Sequence, residues 1–184
     1  MIDLWFEAHA QTYHNAADLA SGHYDVALTE QGREQARSVL RARHAGQHFD
    51  RAFTSDTQRA YETACLIFAD RPIPILQDAR LRECDYGDFE GRPRAEMEVA
   101  RLSAIYTPFP RGESYLQVAE RMRCFLAQLA VECDGQRVML VGHGATLWML
   151  EHWLRALPLA AVVGTFSARP WRFALAGLPA ARKA

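Results

Sequence analysis

The sequence predicts an α/β fold, namely a three-layer α/β/α sandwich around a mostly parallel central sheet. Apolar runs of strand length alternate with longer segments of helical period along the 184 residues. No internal repeat, low-complexity tract or linker divides this alternation, and 49% hydrophobic residues are enough for one full core. We therefore expect residues 1–184 to form a single domain.

Five apolar runs of strand length predict the strands of the sheet. The first run, residues 2–8, reads Ile-Asp-Leu-Trp-Phe-Glu-Ala. It has no basic leader and no small-residue cleavage pattern, so we interpret it as a strand and not as a signal peptide. The other predicted strands are residues 50–54, 73–76, 137–142 and 171–175.

Apolar side chains at helical spacing predict four helices. These helices are residues 29–43, residues 57–69, a segment that begins after Ser114, and residues 145–157. Ser55 with Gln58, and Ser114 with Gln117, are capping-box patterns that predict helix starts. The stretch 80–110 holds two glycines and three prolines, which is typical of a lid or pocket wall over a sheet edge.

Composition narrows the range of partners and compartments. The formal net charge is −1, so overall electrostatics favour neither nucleic acid nor an anionic membrane. No uninterrupted apolar run approaches the length that spans a bilayer. Scattered cysteines without C-x-x-C spacing are typical of reduced structural thiols; they are Cys65, Cys84, Cys124 and Cys133. We expect a cytoplasmic protein, and the sequence is compatible with a homodimer.

Two histidines directly follow predicted strands. His9 follows residues 2–8, and His143 follows residues 137–142 between two glycines that let the backbone approach a ligand. Ligands of open α/β sheets bind beyond the carboxyl ends of parallel strands, so both imidazoles could meet in one pocket. Either histidine alone would more often be structural, so the functional interpretation depends on the motifs around them.

Five further segments carry motifs in a fixed order. They are Asp25–Gly32 (D-V-A-L-T-E-Q-G), Thr54–Ala64 (T-S-D-T-Q-R-A-Y-E-T-A), Leu81–Gly91 (L-R-E-C-D-Y-G-D-F-E-G), Pro110–Ser114 (P-R-G-E-S) and Val141–Gly144 (V-G-H-G). Together with Ala8-His9-Ala10-Gln11-Thr12, they resemble the histidine phosphatase (phosphoglycerate mutase-like) superfamily. The resemblance extends from about Leu4 to Leu154, and it implies phosphomonoester hydrolysis without a cofactor.

The resemblance also implies a role for each of four side chains. His9, a competent nucleophile when neutral, would accept the phosphoryl group. Arg59 would offer planar, bidentate donors to the phosphate oxygens, and a charged His143 would stabilise the same oxygens. Glu83 would protonate the leaving alkoxide and later activate water. A lone arginine or glutamate would be interpreted as surface charge, so these roles depend on the motifs.

Further substrate contacts are expected from the loops around these four residues. The candidates are Asn15, Ser21, Gly22, Gly144, Glu7 and Arg82. No metal is expected, although seven histidines are present, because no H-x-H or H-E-x-x-H pair brings two ligands together. His44 and His48 are four residues apart, but they flank Gly46 and are expected to face solvent.

Position 8 departs from the family pattern. The family has an arginine there that shares the phosphate with Arg59, whereas this chain has Ala8. A positioned arginine is worth about a thousandfold in rate, or about 4 kcal/mol. Three side chains near a motif are candidate replacements: His14, His23 and Arg82.

Glu7 raises a second question, because in an extended strand Glu7 and His9 point to the same side, and a carboxylate repels a phosphate dianion. Either the backbone turns between the two residues, or Glu7 pairs with a cation, or the ligand is not an ordinary phosphate ester. The pattern Glu7-Ala8-His9-Ala10, with Pro-Phe-Pro-x-Gly-Glu-Ser in residues 107–114, resembles a bacterial subgroup of the superfamily.

Three functions are compatible with this sequence. The leading hypothesis is a phosphomonoesterase that acts on a small phosphorylated metabolite through a phosphohistidine at His9. The second is a binding or regulatory protein that keeps the pocket without efficient turnover, which Ala8 and Glu7 motivate. The third is acid/base chemistry without phosphoryl transfer, between Glu7, Glu83 and the histidines.

Overall fold

A five-stranded sheet forms the centre of the computed structural model, which describes residues 1–177. Its strands are β1 (Ile2–Ala8), β2 (Arg51–Thr54), β3 (Ile75–Gln77), β4 (Arg137–Gly142) and β5 (Arg172–Leu175). They lie in the order β3-β2-β4-β1-β5, and β5 pairs antiparallel to β1 while the other neighbours are parallel. The predicted α/β class with a mostly parallel sheet is confirmed.

Helices fill the connections between these strands. Within residues 1–177 they are α1 (Tyr13–Ala16), α2 (Glu30–Gln35), α3 (Arg41–Arg43), α4 (Gln58–Ile67), α5 (Arg94–Ala100), α6 (Tyr115–Glu132), α7 (Gly144–Leu154) and α8 (Leu159–Val162). A π-helical segment, Ala36–Leu40, joins α2 to α3, so the predicted helix 29–43 is one helical stretch. The predicted helix 145–157 ends earlier, at Leu154.

Apolar side chains pack on both faces of the sheet. Leu4 and Phe6 of β1 belong to one core, which also contains residues of α6 and α7. Trp5, between them, packs against a second core built from α4 and the α2–α3 stretch. Because successive side chains of a strand point to opposite faces, helices cover both faces. This is the predicted three-layer arrangement.

The two predicted capping boxes have different outcomes. At α6, the Ser114 backbone N–H donates to Gln117 Oε1 over 2.7 Å, and the Gln117 N–H donates to Ser114 Oγ over 3.3 Å. At α4 the predicted box is wrong: the cap residue is Thr57, without a side-chain cap bond. The Ser55 hydroxyl instead lies 2.7 Å from His143 Nε2.

The irregular stretch 80–110 packs beside the carboxyl ends of the strands. Gly87 has φ +52°, and a Cβ at this residue would lie 2.1 Å from the Pro110 carbonyl oxygen. Only glycine therefore allows this close backbone approach. The Gly91 N–H donates to the Ala20 carbonyl, which ties the stretch to the loop after α1. Within residues 1–177, no helix is long and apolar enough to cross a membrane.

Candidate functional site

His9 and His143 meet at the carboxyl ends of two neighbouring strands. Strands β1 and β4 are parallel, with Ala8 opposite Gly142, and the His9 N–H donates to the Gly142 carbonyl over 2.9 Å. The two imidazole centroids are 5.2 Å apart. The structure thus brings together the two histidines that the strand-end argument singled out.

The ring of His9 is held in one tautomer. Its Nδ1 lies 2.8 Å from the Ala10 carbonyl oxygen, and because a carbonyl only accepts, Nδ1 carries the hydrogen and Nε2 keeps its lone pair. Burial and the charge of Arg59 lower the pKa of His9 to about 4, against the opposing hydrogen bond to Ala10. His9 is therefore neutral near pH 7, with Nε2 as the basic atom.

His143 is buried at the start of α7. Its Nε2 bonds the Ser55 hydroxyl over 2.7 Å, and Ser55 Oγ in turn lies 2.9 Å from Thr57 Oγ1. Burial, followed by the charge of Arg59, lowers the pKa of His143 well below the usual histidine value. These surroundings favour a neutral His143, whereas the sequence predicts a charged form. Within residues 1–177, the buried Nδ1 has no hydrogen-bond partner.

Arg59 is buried in the first turn of α4. Its Nη1 donates to the Tyr24 carbonyl over 2.6 Å and its Nη2 to the Gly22 carbonyl over 2.8 Å. Both terminal nitrogens therefore hold the loop after α1. The Nε is buried and has no partner in the described residues. Besides this N–H, each terminal nitrogen keeps a second hydrogen, so the guanidinium holds the loop and still has donors for a phosphate.

Glu83 reaches the same place from the 80–110 stretch. Its carboxylate accepts from the Cys84 N–H over 2.8 Å and lies 3.3 Å from the Ala145 N–H, at the amino end of α7. A helix amino terminus favours a negative charge there. A Cβ on Gly144 would lie 3.6 Å from Glu83 Oε2 and 3.6 Å from Phe166 Cζ, so the backbone at Gly144 is closely enclosed by both groups.

The other expected substrate contacts are engaged locally. Asn15 Oδ1 accepts from the Thr12 N–H and hydroxyl, each over 3.0 Å, and so caps α1. Ser21 Oγ lies 3.4 Å from His14 Nδ1. Gly22 contacts the site through its carbonyl, which binds the Arg59 guanidinium.

The three candidate replacements for the missing arginine also have partners already. Arg82 donates to both oxygens of Asp56, over 2.7 and 2.5 Å. His23 Nε2 lies 2.9 Å from the Glu83 carbonyl, and His14 contacts Ser21. Each of the three is thus held by a neighbour in the described structure.

Glu7 is a buried carboxylate in an ionic cluster, which we call the Glu7 cluster and define as Glu7, Arg43, His44 and Arg169. Glu7 Oε1 accepts from Arg169 Nη1 over 2.6 Å, and Oε2 accepts from Arg43 Nη1 over 2.6 Å and bonds His44 Nε2 over 3.1 Å. Burial raises the pKa of Glu7, but hydrogen bonds from His44, Arg169 and Arg43 outweigh it and bring the pKa down to about 2.

Of the three explanations considered for Glu7, the structure therefore supports the second, in which the carboxylate pairs with cations. The expectation that His44 faces solvent is wrong, because His44 is buried and bonds Glu7. Neither Arg43 nor Arg169 was identified from the sequence. The signal that could have found them was the carboxylate itself, since a carboxylate in a buried strand requires cationic partners.

No metal centre is apparent around these residues. Within residues 1–177, no group of three or more His, Cys, Asp or Glu side chains is arranged to hold a metal ion. The site is built instead from two imidazoles, one guanidinium and one carboxylate.

Comparison with known proteins places the site in a family. The model of the histidine phosphatase superfamily (branch 1) matches residues 4–166. The adenosylcobalamin/alpha-ribazole phosphatase of Escherichia coli K12 is 30% identical over 167 residues, which cover 86% of this chain and 82% of that protein. The fructose-2,6-bisphosphatase TIGAR of Xenopus tropicalis is 39% identical over 131 residues, which cover 66% of this chain and 47% of that protein.

Solved structures agree with these relatives. Bacillus stearothermophilus YhfR superposes with a TM-score of 0.79 at 30% identity, over 90% of this chain and 85% of that one. A mycobacterial glucosyl-3-phosphoglycerate phosphatase gives a TM-score of 0.74 at 30% identity, over 86% and 81%. The prediction of a histidine phosphatase-type phosphoric monoester hydrolase is thus confirmed at the level of enzyme class. The resemblance first noted in the motifs is also confirmed: the chain belongs to branch 1 of the histidine phosphatase superfamily.

Proposed function

We propose that the protein hydrolyses phosphomonoesters of a small metabolite in two steps, through a phosphohistidine at His9. The observation that carries this proposal is the state of His9, a neutral imidazole whose Nδ1–H is fixed by the Ala10 carbonyl, so that Nε2 is the nucleophile. Relatives named for alpha-ribazole and glucosyl-3-phosphoglycerate phosphatase activity support a small phosphorylated metabolite as the substrate class.

In the first step, the lone pair of His9 Nε2 attacks the phosphorus while the bond from phosphorus to the ester oxygen breaks. Glu83, in its protonated form, donates its proton to that oxygen, and the alcohol leaves. In the second step, the Glu83 carboxylate takes a proton from water, and the resulting hydroxide attacks the phosphohistidine. Inorganic phosphate and free His9 result, and Glu83 has regained its proton.

The charge of the substrate changes the protonation of the site. A phosphate monoester brings up to about two negative charges at pH 7, and a nearby negative charge favours the protonated form of an imidazole. Binding therefore raises the pKa of His143, whose buried Nδ1 is available to donate to a phosphate oxygen. The charged His143 is in this way a property of the complex with the phosphate ester.

A phosphate-release assay over a panel of metabolite phosphomonoesters tests the proposal. Wild-type protein is expected to release phosphate and His9→Ala to release none above background. His48→Ala is the matched control, because the His48 side chain is exposed and its hydrogen-bond partner within residues 1–177 is Asp50. Mass spectrometry after alkaline quenching should find one phosphoryl group on His9. Equal release by wild type and His9→Ala on every substrate would reject the proposal.

One observation favours a second candidate, a phospho-ligand-binding protein with little turnover. Both terminal nitrogens of Arg59 are engaged by backbone carbonyls, and position 8 is alanine. Calorimetric titration with phosphate and vanadate distinguishes the two functions, since tight binding without hydrolysis on the same panel supports the binding protein. The third hypothesis, acid/base chemistry with Glu7, loses its support because both Glu7 oxygens bind cations.

A further inference from the structure

The charge balance of the site leaves a phosphate dianion short of positive charge. His9 is held neutral by burial and by Arg59, Glu83 brings a carboxylate, and His143 gains its charge only when the phosphate binds. Arg59 is the guanidinium with the largest effect on both histidines, but both of its terminal nitrogens already donate to backbone carbonyls. A second guanidinium at the site would balance the dianion and its developing transition-state charge.

Two other arginines near the site are neutralised by carboxylates. Arg121 donates to both oxygens of Glu113, each over 3.0 Å. Arg82 donates to both oxygens of Asp56. Moving either guanidinium to a phosphate would leave a carboxylate behind without its partner.

Arg169 lies beside the end of β1, the strand that His9 follows. Strand β5 pairs antiparallel to β1, with Arg172 opposite Trp5, and the Phe6 N–H donates to the Trp171 carbonyl over 2.9 Å. Arg169 lies two residues before Trp171, and its side chain reaches Glu7, which precedes Ala8 and His9 on β1. The position that lacks a guanidinium on β1 is thus flanked by one from the neighbouring chain segment.

Contacts fix the guanidinium of Arg169 in this place. Glu7 Oε1 accepts from Arg169 Nη1 over 2.6 Å and from the Ala8 N–H over 3.1 Å. The guanidinium carbon also lies 3.7 Å from the centre of the Trp171 ring. Its other N–H groups bond nothing in residues 1–177, and the side chain is 38% exposed. Arg169 is therefore preorganised and still has free donors.

The same segment reaches the opposite side of the site. Phe166, three residues before Arg169, approaches within 3.6 Å of the position that a Cβ on Gly144 would occupy, and that position is equally far from Glu83 Oε2. Residues 166–169 consequently run along the rim between the start of α7 and the end of β1. Arg169 is thus the end of this segment that contacts Glu7, two residues before His9.

We propose that Arg169 is a catalytic residue that donates to the oxygens of the phosphoryl group as it passes to His9 Nε2, and that Glu7 positions it. This inference rests on the proposed hydrolysis. In this arrangement the buried carboxylate anchors a cation at the site instead of repelling the substrate.

Arg43 provides a matched control, because it makes the same 2.6 Å contact with Glu7 and is 33% exposed, yet it belongs to α3 and not to residues 166–169. On the best substrate of the panel, Arg169→Ala is expected to lower kcat/KM about a thousandfold, mostly through kcat. Arg43→Ala should lower kcat/KM far less, because Arg43 contacts the carboxylate that positions Arg169 and not the phosphoryl group itself. Guanidinium at millimolar concentration should partly restore Arg169→Ala and leave Arg43→Ala unchanged.

Calorimetric titration with vanadate and inorganic phosphate gives a readout that does not depend on turnover. Arg169→Ala and Arg169→Gln should bind both anions more weakly than Arg43→Ala does; the glutamine variant keeps a donor for Glu7 if the alanine variant does not fold. Equal kinetics and equal anion affinity of the Arg43 and Arg169 variants would overturn the inference. If wild type neither hydrolyses nor forms phosphohistidine, the proposed function fails, while the anion affinities still decide whether Arg169 contacts the ligand.

Discussion

Two buried clusters at the end of β1 respond to burial in opposite ways. Around His9 and His143, burial and the charge of Arg59 act in the same direction, and both imidazoles are held neutral. In the Glu7 cluster, burial opposes ionisation, but hydrogen bonds from His44, Arg169 and Arg43 outweigh it and bring the pKa of Glu7 to about 2. Arginines neighbour both groups, so the charge of the ionised form decides the difference: a positive neighbour disfavours an imidazolium and favours a carboxylate.

This difference shows how one strand can supply a nucleophile and a charge anchor within three residues. A phosphoryl acceptor must be uncharged, whereas a carboxylate next to a phosphate must be neutralised by cations. His9 and Glu7 satisfy these two requirements because their partners come from different elements. Arg59 is supplied by α4, and the partners of Glu7 are supplied by the end of α3 and by the segment before β5.

Removing Arg59 should have the largest effect, because it removes the positive charge that lowers the pKa of both histidines. Arg59→Met is expected to lower turnover about a thousandfold or more and to raise the pKa of His9 and of His143 toward the ordinary value, because a repelling positive charge is lost. Steady-state kinetics and NMR titration of the imidazoles measure the two effects. Arg37→Met, at an exposed arginine paired with Glu30, is the control. Unchanged histidine pKa values in Arg59→Met would mean that burial alone holds the rings neutral.

Glu7→Gln tests the other cluster through stability. A buried carboxylate removed from two arginines and a histidine should cost about 3–5 kcal/mol of the free energy of unfolding. Asp3→Asn is the matched control on the same strand, because Asp3 also binds two arginines, Arg137 and Arg172, but is 24% exposed against 0% for Glu7. For Asp3→Asn we expect a loss of about 1 kcal/mol in the free energy of unfolding. Urea denaturation measures both, and equal losses would show that burial adds nothing to the Glu7 contacts.

The two clusters should also lose stability in different pH ranges. The pKa of His9 falls from 6.5 to about 4 on folding, so its contribution is complete above pH 6.5 and is lost as the pH falls to 4. The pKa of Glu7 falls from 4.5 to about 2, so its contribution is lost between pH 4.5 and 2. Each lost contribution is at most about 3 kcal/mol.

Denaturation at a series of pH values separates the two contributions. His9→Gln should flatten the dependence of the unfolding free energy on pH mainly between 6.5 and 4, and Glu7→Gln mainly below 4.5. His143 also contributes to the loss of stability as the pH falls below 6.5, because its pKa is lowered too. A wild-type stability that is constant from pH 7 to pH 5 would contradict the assignment of the upper range to buried histidines.

The sequence predicts one cluster far better than the other. His9 and His143 follow apolar runs that are strands in any α/β fold, so the rule on strand ends was enough to bring them together. Arg169 is 162 residues from Glu7 in the sequence, and its place depends on β5 lying antiparallel beside β1, which no local pattern encodes. His44 was expected to face solvent because it flanks Gly46 just beyond the predicted helix. The helix does end at Arg43, but the side chain of the cap residue His44 turns inward to Glu7, which no local pattern encodes.

Ser55→Ala should have the smallest effect, and it tests how the neutral cluster is oriented. The Ser55 hydroxyl bonds His143 Nε2 and leaves Nδ1 as the atom available to the ligand. Loss of one such hydrogen bond is worth about 1 kcal/mol, so kcat should fall about fivefold to tenfold with KM nearly unchanged. Thr57→Val, one hydrogen bond farther from His143, should have less effect. The His143 backbone N–H is also held by Thr146 Oγ1 over 3.1 Å. If Ser55→Ala keeps the kcat and the pH profile of wild type, this contact with α7 orients the ring and the Ser55 hydroxyl does not.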